Sequence, residues 1–226
     1  AISRFQMTAD GLSAARLSGN FTTGGRGLPQ IAGRIERGAG NGMTLRAAMA
    51  EYVAGPSRVA LPQLVLVQNR NGSLGFAGAA RLSGPLPGGE ARNLALPIEG
   101  NYAQGRGLLA WRQCVPVSFD SLALANLTLQ RRSLTLCPPP GGAIFASDSR
   151  GTRVAAGASS LDLAGRLGAT PIRITGGAMG LAWPGTMAAR SLDIAIGPEG
   201  DASKFRIANL GARIGGDRRG VGLGQE

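Results

Sequence analysis

Histidine is absent from these 226 residues. With it go the commonest general base, the imidazole of a Ser/His/Asp triad and the usual zinc ligand. Catalysis would have to rest on carboxylates alone. The 13 acidic residues are dispersed, and a pair such as Glu90 and Glu99 becomes glycosidase-like only if the fold brings the two together. Solvated turn and strand charges are the plainer reading, so neither an enzyme nor a cofactor or metal is expected. Aromatics are scarce, at 4%, which excludes a thick core built around large rings. No apolar run is long enough to cross a bilayer as a helix, and neither an initiator methionine nor a signal peptide opens the sequence. Ala1 to Phe5 already read as strand, which suggests a piece of a longer protein with its targeting and anchoring parts elsewhere.

What is abundant is glycine, at 37 residues, within a chain that is 43% apolar. That apolar fraction excludes a disordered tail and suffices for one large β domain or two small ones. Glycine inside strands marks bulges, bends or close backbone approach, and so favours a bent, elongated sheet over a compact sandwich. The formal charge is +11, carried almost wholly by arginine, since Lys204 is the single lysine. Attraction to anionic surfaces is one reading and a solvated face the other. No aromatic-interleaved basic run points to nucleic acid.

Period-two alternation recurs along the chain and predicts strands with one apolar face. Met43, Leu45, Ala47 and Met49 fall on one side; a helix ending at Gly55-Pro56 is the alternative. Leu64 to Phe76 reads as a hairpin turning at Asn71-Gly72, which would set Val67 opposite Phe76. Leu127 to Leu136 reads as a second hairpin, turning at Arg131-Arg132, with Leu129 facing Leu134 and Leu127 facing Leu136. Leu122 and Leu124 have the opposite parity from Leu127 and Leu129, which calls for a bulge or break near Ala125-Asn126. Leu161 with Leu163, Ile172 with Ile174, Leu192 with Ile194 and Ile196, and Phe205 with Ile207 continue the pattern. Gly197-Pro198-Glu199-Gly200 is the turn before the last pair. About a dozen short strands and almost no helix result. Strand, glycine, strand units such as Ala32-Gly33-Arg34-Ile35 and Leu163-Ala164-Gly165-Arg166 recur without a fixed period.

Cys114 and Cys137 enclose a segment that leaves and returns as strand, so a disulfide is expected, worth about 3 kcal/mol in the chain-entropy model. It would place the chain in an oxidising compartment. Buried free thiols are the alternative; a redox or metal site lacks both a Cys-x-x-Cys and a partner ligand. Gly24-Gly25-Arg26-Gly27, Gly88-Gly89 and Gly215-Gly216 lack the Lys-Ser or Lys-Thr of a phosphate loop and read as turns. Trp111 and Trp183 read as local core or as a membrane or groove boundary. Pro138-Pro139-Pro140-Gly141-Gly142 is the best joint, dividing residues 1–137 from a continuation over 143–226 whose end is glycine-rich.

The stretch from Trp111 through Cys114 to Phe119, the Ser133-Leu134-Thr135-Leu136-Cys137-Pro138 run, Arg81-Leu82-Ser83-Gly84-Pro85-Leu86-Pro87 and Leu192-Asp193-Ile194-Ala195-Ile196-Gly197 together resemble YdbH-type proteins. These belong with TamB and the wider AsmA-like group of bridge-like envelope proteins. The resemblance runs over most of residues 40 to 217. It implies an all-β fold, a long curved antiparallel sheet forming an open taco-like groove, in the periplasm as part of an inner-membrane-anchored protein. It also implies a non-enzymatic function, the conduction of phospholipid acyl chains between inner and outer membranes, with membrane contact made by parts outside this piece. The alternating residues above, from Met43 to Ile207, would line the groove. A closed β-sandwich serving as a structural or adhesin-like module is the alternative, its apolar faces sealed against each other.

Overall fold

The computed structural model describes residues 2–8, 16–38, 42–86 and 88–214. The described residues form 17 strands in one antiparallel sheet, with no helix. The first seven strands are an uninterrupted meander: β1 (Ile2–Thr8), β2 (Arg16–Gly25), β3 (Leu28–Arg37), β4 (Met43–Ala54), β5 (Ser57–Gln68), β6 (Leu74–Leu86) and β7 (Gly89–Ala103). Each pairs with the next.

The next eight strands are halves of four longer rungs. β8 (Gly107–Ala110) and β9 (Val115–Leu124) both pair with β7. β10 (Leu127–Leu136) pairs with β9, and β11 (Phe145–Asp148) pairs with β8. β12 (Gly151–Ala158) then pairs with β11, and β13 (Leu161–Leu167) with β10. β14 (Thr170–Gly176) and β15 (Met179–Trp183) pair with β13 and β12 and are covered in turn by β16 (Gly185–Ile196). β17 (Ser203–Ile214) pairs with β16 along its whole length. The topology is therefore a sequential meander, and the expected dozen strands become 17 because breaks at 111–114, 137–144, 159–160 and 177–178 split four rungs.

Turn chemistry places the hairpins. Asn71 accepts from the Ser73 amide and hydroxyl, and Asn69 N–H donates to Ser73, so the loop after β5 has five residues rather than two. The register consequently differs by one from that expected of an Asn-Gly turn: Leu66 opposes Phe76, and Val67 opposes Gly75. The second expected hairpin is also corrected. β10 runs straight through Arg131-Arg132, and the reversal lies at Ala125-Asn126, where Ala125 has φ 51°. Leu129 therefore faces Leu122 and Leu134 faces Val117, not each other. Adjacent arginines carry no turn preference, whereas Asn tolerates the left-handed conformation that a two-residue hairpin demands. Met43 to Met49 is strand, as expected, and the Gly197–Gly200 turn lies between β16 and β17.

Cys114 and Cys137 are bonded, one step beyond the Val115–Leu136 pair and with Cα atoms 4.0 Å apart. The bond joins two rung breaks, and Cys137 also exchanges both backbone hydrogen bonds with Gly157. Residues 138–142 thus connect β10 to β11 within one sheet. Gly27 (φ 76°) and Gly88 (φ 80°) are turn glycines, while Gly215-Gly216 lies outside the described residues.

Among the described residues nothing forms a second layer on the sheet. Apart from β10 against β12, substantial contacts fall only between hydrogen-bonded neighbours. Among the described residues no large side chain is fully enclosed. The accessible surface is 15181 Å², where a compact protein of this mass would expose about 9,600 Å². The small core consists of side chains sheltered by curvature and by cross-strand neighbours, such as Phe119 (4% exposed), Leu192 (5%) and Leu129 (6%).

Candidate functional site

In an antiparallel pair, directly opposed residues share a face, as do residues two apart on one strand. Across the β9–β10 hairpin Leu122 faces Leu129 and Leu124 faces Leu127. Leu129 opposes Gly165 in β13. Gly165 opposes Ile172, Leu163 opposes Ile174 and Leu161 opposes Gly176. Ile172 and Ile174 oppose Ile196 and Ile194, and at the end of the sheet Phe205 faces Ile194 while Ile207 faces Leu192. Thirteen of the twenty residues expected to line a groove therefore form one continuous apolar face over β9, β10, β13, β14, β16 and β17. Leu167, opposite Leu127 and 43% exposed, belongs to it as well. The alternation Leu161, Leu163, Gly165, Leu167 could have revealed it.

Met43, Leu45, Met49 and Phe76 share a second apolar field on β4 to β6, through Leu45–Leu66, Met49–Leu61 and Leu66–Phe76. Glycines on the flanking strands β3 and β7 let rings lie close to the backbone: Phe21 of β2 lies over Gly33 and Phe76 over Gly100, each directly cross-strand. The remaining three residues fall elsewhere. Leu134 and Leu136 oppose Val117 and Val115, on the side of β10 away from Leu127 and Leu129. Val67 is 37% exposed on the side of β5 away from Leu66. Where alternation changes parity, a residue stands in the left-handed region. In β7, Leu94, Leu96 and Ile98 give way to the fully buried Ala91 across Asn93 (φ 48°). In β16, Met187 and Ala189 give way to Leu192, Ile194 and Ile196 across Ser191 (φ 52°).

Exposure distinguishes a sealed core from an accessible surface. Of the twenty expected residues only Met49, Leu129 and Leu192 are buried; Val67, Leu124 and Phe205 are exposed and the other fourteen are half-buried. The side of β13, β14, β16 and β17 opposite the thirteen is charged, while on β10 it carries Arg132 together with Leu134 and Leu136. There Arg132 and Arg173 both reach Asp162, at 2.9 and 3.2 Å, and Arg206 pairs with Asp193 at 2.8 Å. Over β13, β14, β16 and β17 the sheet is thus amphipathic across its thickness.

Most of the described carboxylates are engaged by arginine and amide donors. Asn93 and then Arg131 hold the carboxyl of Asp120 below its ordinary pKa. The Arg150 backbone N–H and the Arg153 guanidinium do the same for Asp148, as Arg34 and Arg46 do for Glu36. Glu90 pairs with Arg92. Glu99 stands nine residues further along β7, about 30 Å away at strand rise, well beyond the span of a glycosidase pair. Trp111 donates its indole N–H to the Pro97 carbonyl at 2.8 Å, so it is fixed locally, whereas Trp183 is 40% exposed.

Fold and surface together define an open, curved, single-layer antiparallel sheet with a contiguous, partly uncovered apolar face. No family, curated protein or solved structure matches the chain.

Proposed function

We propose that this sheet is a non-enzymatic track for phospholipid acyl chains, working in the periplasm between inner and outer membranes, as the resemblance to AsmA-like bridge proteins implies. The observation that supports it best is the thirteen-residue face from Leu122 to Ile207, which only Leu129 and Leu192 leave for the interior. A soluble monomer rarely exposes so continuous an apolar surface unless something docks on it. Each methylene transferred from water to that face gains about 0.8 kcal/mol. Head groups would remain in solvent or meet arginine at the margins. A sealed sandwich would instead bury these leucines and isoleucines under a second layer, as most of them are not.

The test is native mass spectrometry after mild extraction, with displacement of a fluorescent phospholipid as a second readout. Phospholipid should co-purify, and Leu163→Asp with Ile194→Asp should abolish it while the strand signal in circular dichroism persists. A lipid-free protein that also fails to bind the fluorescent probe would sink the proposal.

A further inference from the structure

In the break between β10 and β11, residues 138–142 form a strap. Both ends are pinned. Cys137 is held by its disulfide and by paired backbone hydrogen bonds to Gly157 at 2.8 Å each. Ile144 donates to Trp111 O at 2.9 Å and accepts from Ala155 N at 2.8 Å. Three successive prolines fix φ along the strap, and Gly142 N closes a turn onto Pro139 O at 2.9 Å. A segment so constrained cannot collapse onto the surface beside it.

Beside it the sheet surface is grooved. On one side of the strap Pro138 to Pro140 form one wall of an open groove of about 520 Å³. Its floor is β12, β15 and β16, where Gly157 opposes Gly180, Gly180 opposes Ala188 and Ala155 opposes Ala182. On the other side is a cavity of about 340 Å³ lined by Leu109, Ala146, Gly141, Arg112 and Arg153. Pro139 and Ala155 line both, so the two adjoin at the strap. Their combined volume falls in the range of small-molecule sites. The first is apolar; the second has two arginines, Arg112 and Arg153, among its lining residues. Arg153 shares its charge with Asp148 at 2.7 Å, while Arg112 has no ion-pair partner among the described residues.

We propose that the groove and the cavity are one binding site for a single-chain anionic amphiphile. The alkyl tail lies along Pro138–Pro140, and the phosphate or carboxylate head meets Arg112 and Arg153. None of the thirteen residues of the extended apolar face lines the groove or the cavity, so this site stands whether or not that face carries lipid.

The probe is a twelve-carbon alkyl phosphate with a diazirine at the tail end, photolysed on the full chain and mapped by peptide mass spectrometry. Saturable labelling is expected on 138–140, 155–157 and 180–188. Arg112→Gln should weaken it about tenfold, the loss of one charge-assisted hydrogen bond, and should leave labelling by an uncharged maltoside of the same tail unchanged. Ala188→Trp, at an exposed position, should fill the floor and remove strap labelling. Labelling confined to the Leu122–Ile207 face would support the acyl-chain track and overturn this site. So would equal labelling of the Arg112→Gln variant, or labelling of the strap that survives Ala188→Trp.

Discussion

Replacing Gly100 with alanine tests whether the wide, small-residue sheet depends on direct contact between aromatic rings and bare backbone. Gly100 does not have a positive φ. On propensity alone, alanine should therefore stabilise by about 0.4–1 kcal/mol, because it narrows the unfolded ensemble. The surroundings argue the other way. An added methyl would stand 2.5 Å from Cζ of Phe76 and closer still to the backbone oxygen of Leu109. A ring tip can swing aside, but a ladder carbonyl cannot move without disturbing the β7–β8 pairing. Overpacking of this kind costs about 1–3 kcal/mol, so the net effect should be a loss of about 1–2 kcal/mol. For a chain of this length that corresponds to a melting point lower by about 2–8 °C. Gly211, which also lacks a positive φ and around which a methyl would meet nothing, is the control: Gly211→Ala should stabilise slightly. Urea or thermal unfolding of both variants decides the matter. A Gly100→Ala protein as stable as its parent would refute the packing argument. If the ring carries part of the clash, the penalty should shrink in a Phe76→Leu background.

Reduction of Cys114–Cys137 should lower stability by about 3 kcal/mol on the chain-entropy account. It should lower hydrogen-exchange protection first in β9 and β10, and equal protection in reduced and oxidised protein would contradict that. Leu129→Ala should cost about 2–3 kcal/mol, whereas Leu124→Ala, on the same face but 41% exposed, should cost less than about 1 kcal/mol; denaturant midpoints separate the two. Folding lowers the pKa of Asp120, Asp148 and Glu36. Their stabilisation is therefore present above the unfolded-state carboxylate range and is lost as pH falls below about 4. Asp148→Asn should flatten the acid limb of a stability–pH profile, and an unchanged limb would count against the Arg150 and Arg153 contacts.

The all-β character and the disulfide were legible because both rest on local signals: alternation of period two, and two cysteines flanking strands of opposite direction. Thirteen groove residues were placed on a common face for the same reason. Parity along a strand is set by the backbone, and β13, β14, β16 and β17 join without a shift of register. Legibility failed where side chains compete with backbone for hydrogen bonds. Asn71 binding Ser73 moved Val67 off the face of Phe76, a shift of a single residue that alternation cannot detect. Reading Arg131-Arg132 as a turn misplaced Leu134 and Leu136, because a leucine-flanked polar dipeptide fits a strand crossing the sheet as well as it fits a reversal. The parity changes at Asn93 and Ser191 depend on a backbone conformation that neither residue type demands. The groove beside the prolines needed three-dimensional information throughout, since Arg112 and Arg153 come together only through the pairing of β8, β11 and β12.

A sheet in which every rung touches only the one before it and the one after it behaves as a stack in one dimension. Its stability is close to a sum of rung and nearest-neighbour terms, and opening proceeds from the ends inward. Such a ladder can gain or lose a hairpin at either end without redesign of its middle. Its length is then free to drift in evolution, and homologous chains could differ by tens of residues while keeping the same cross-section.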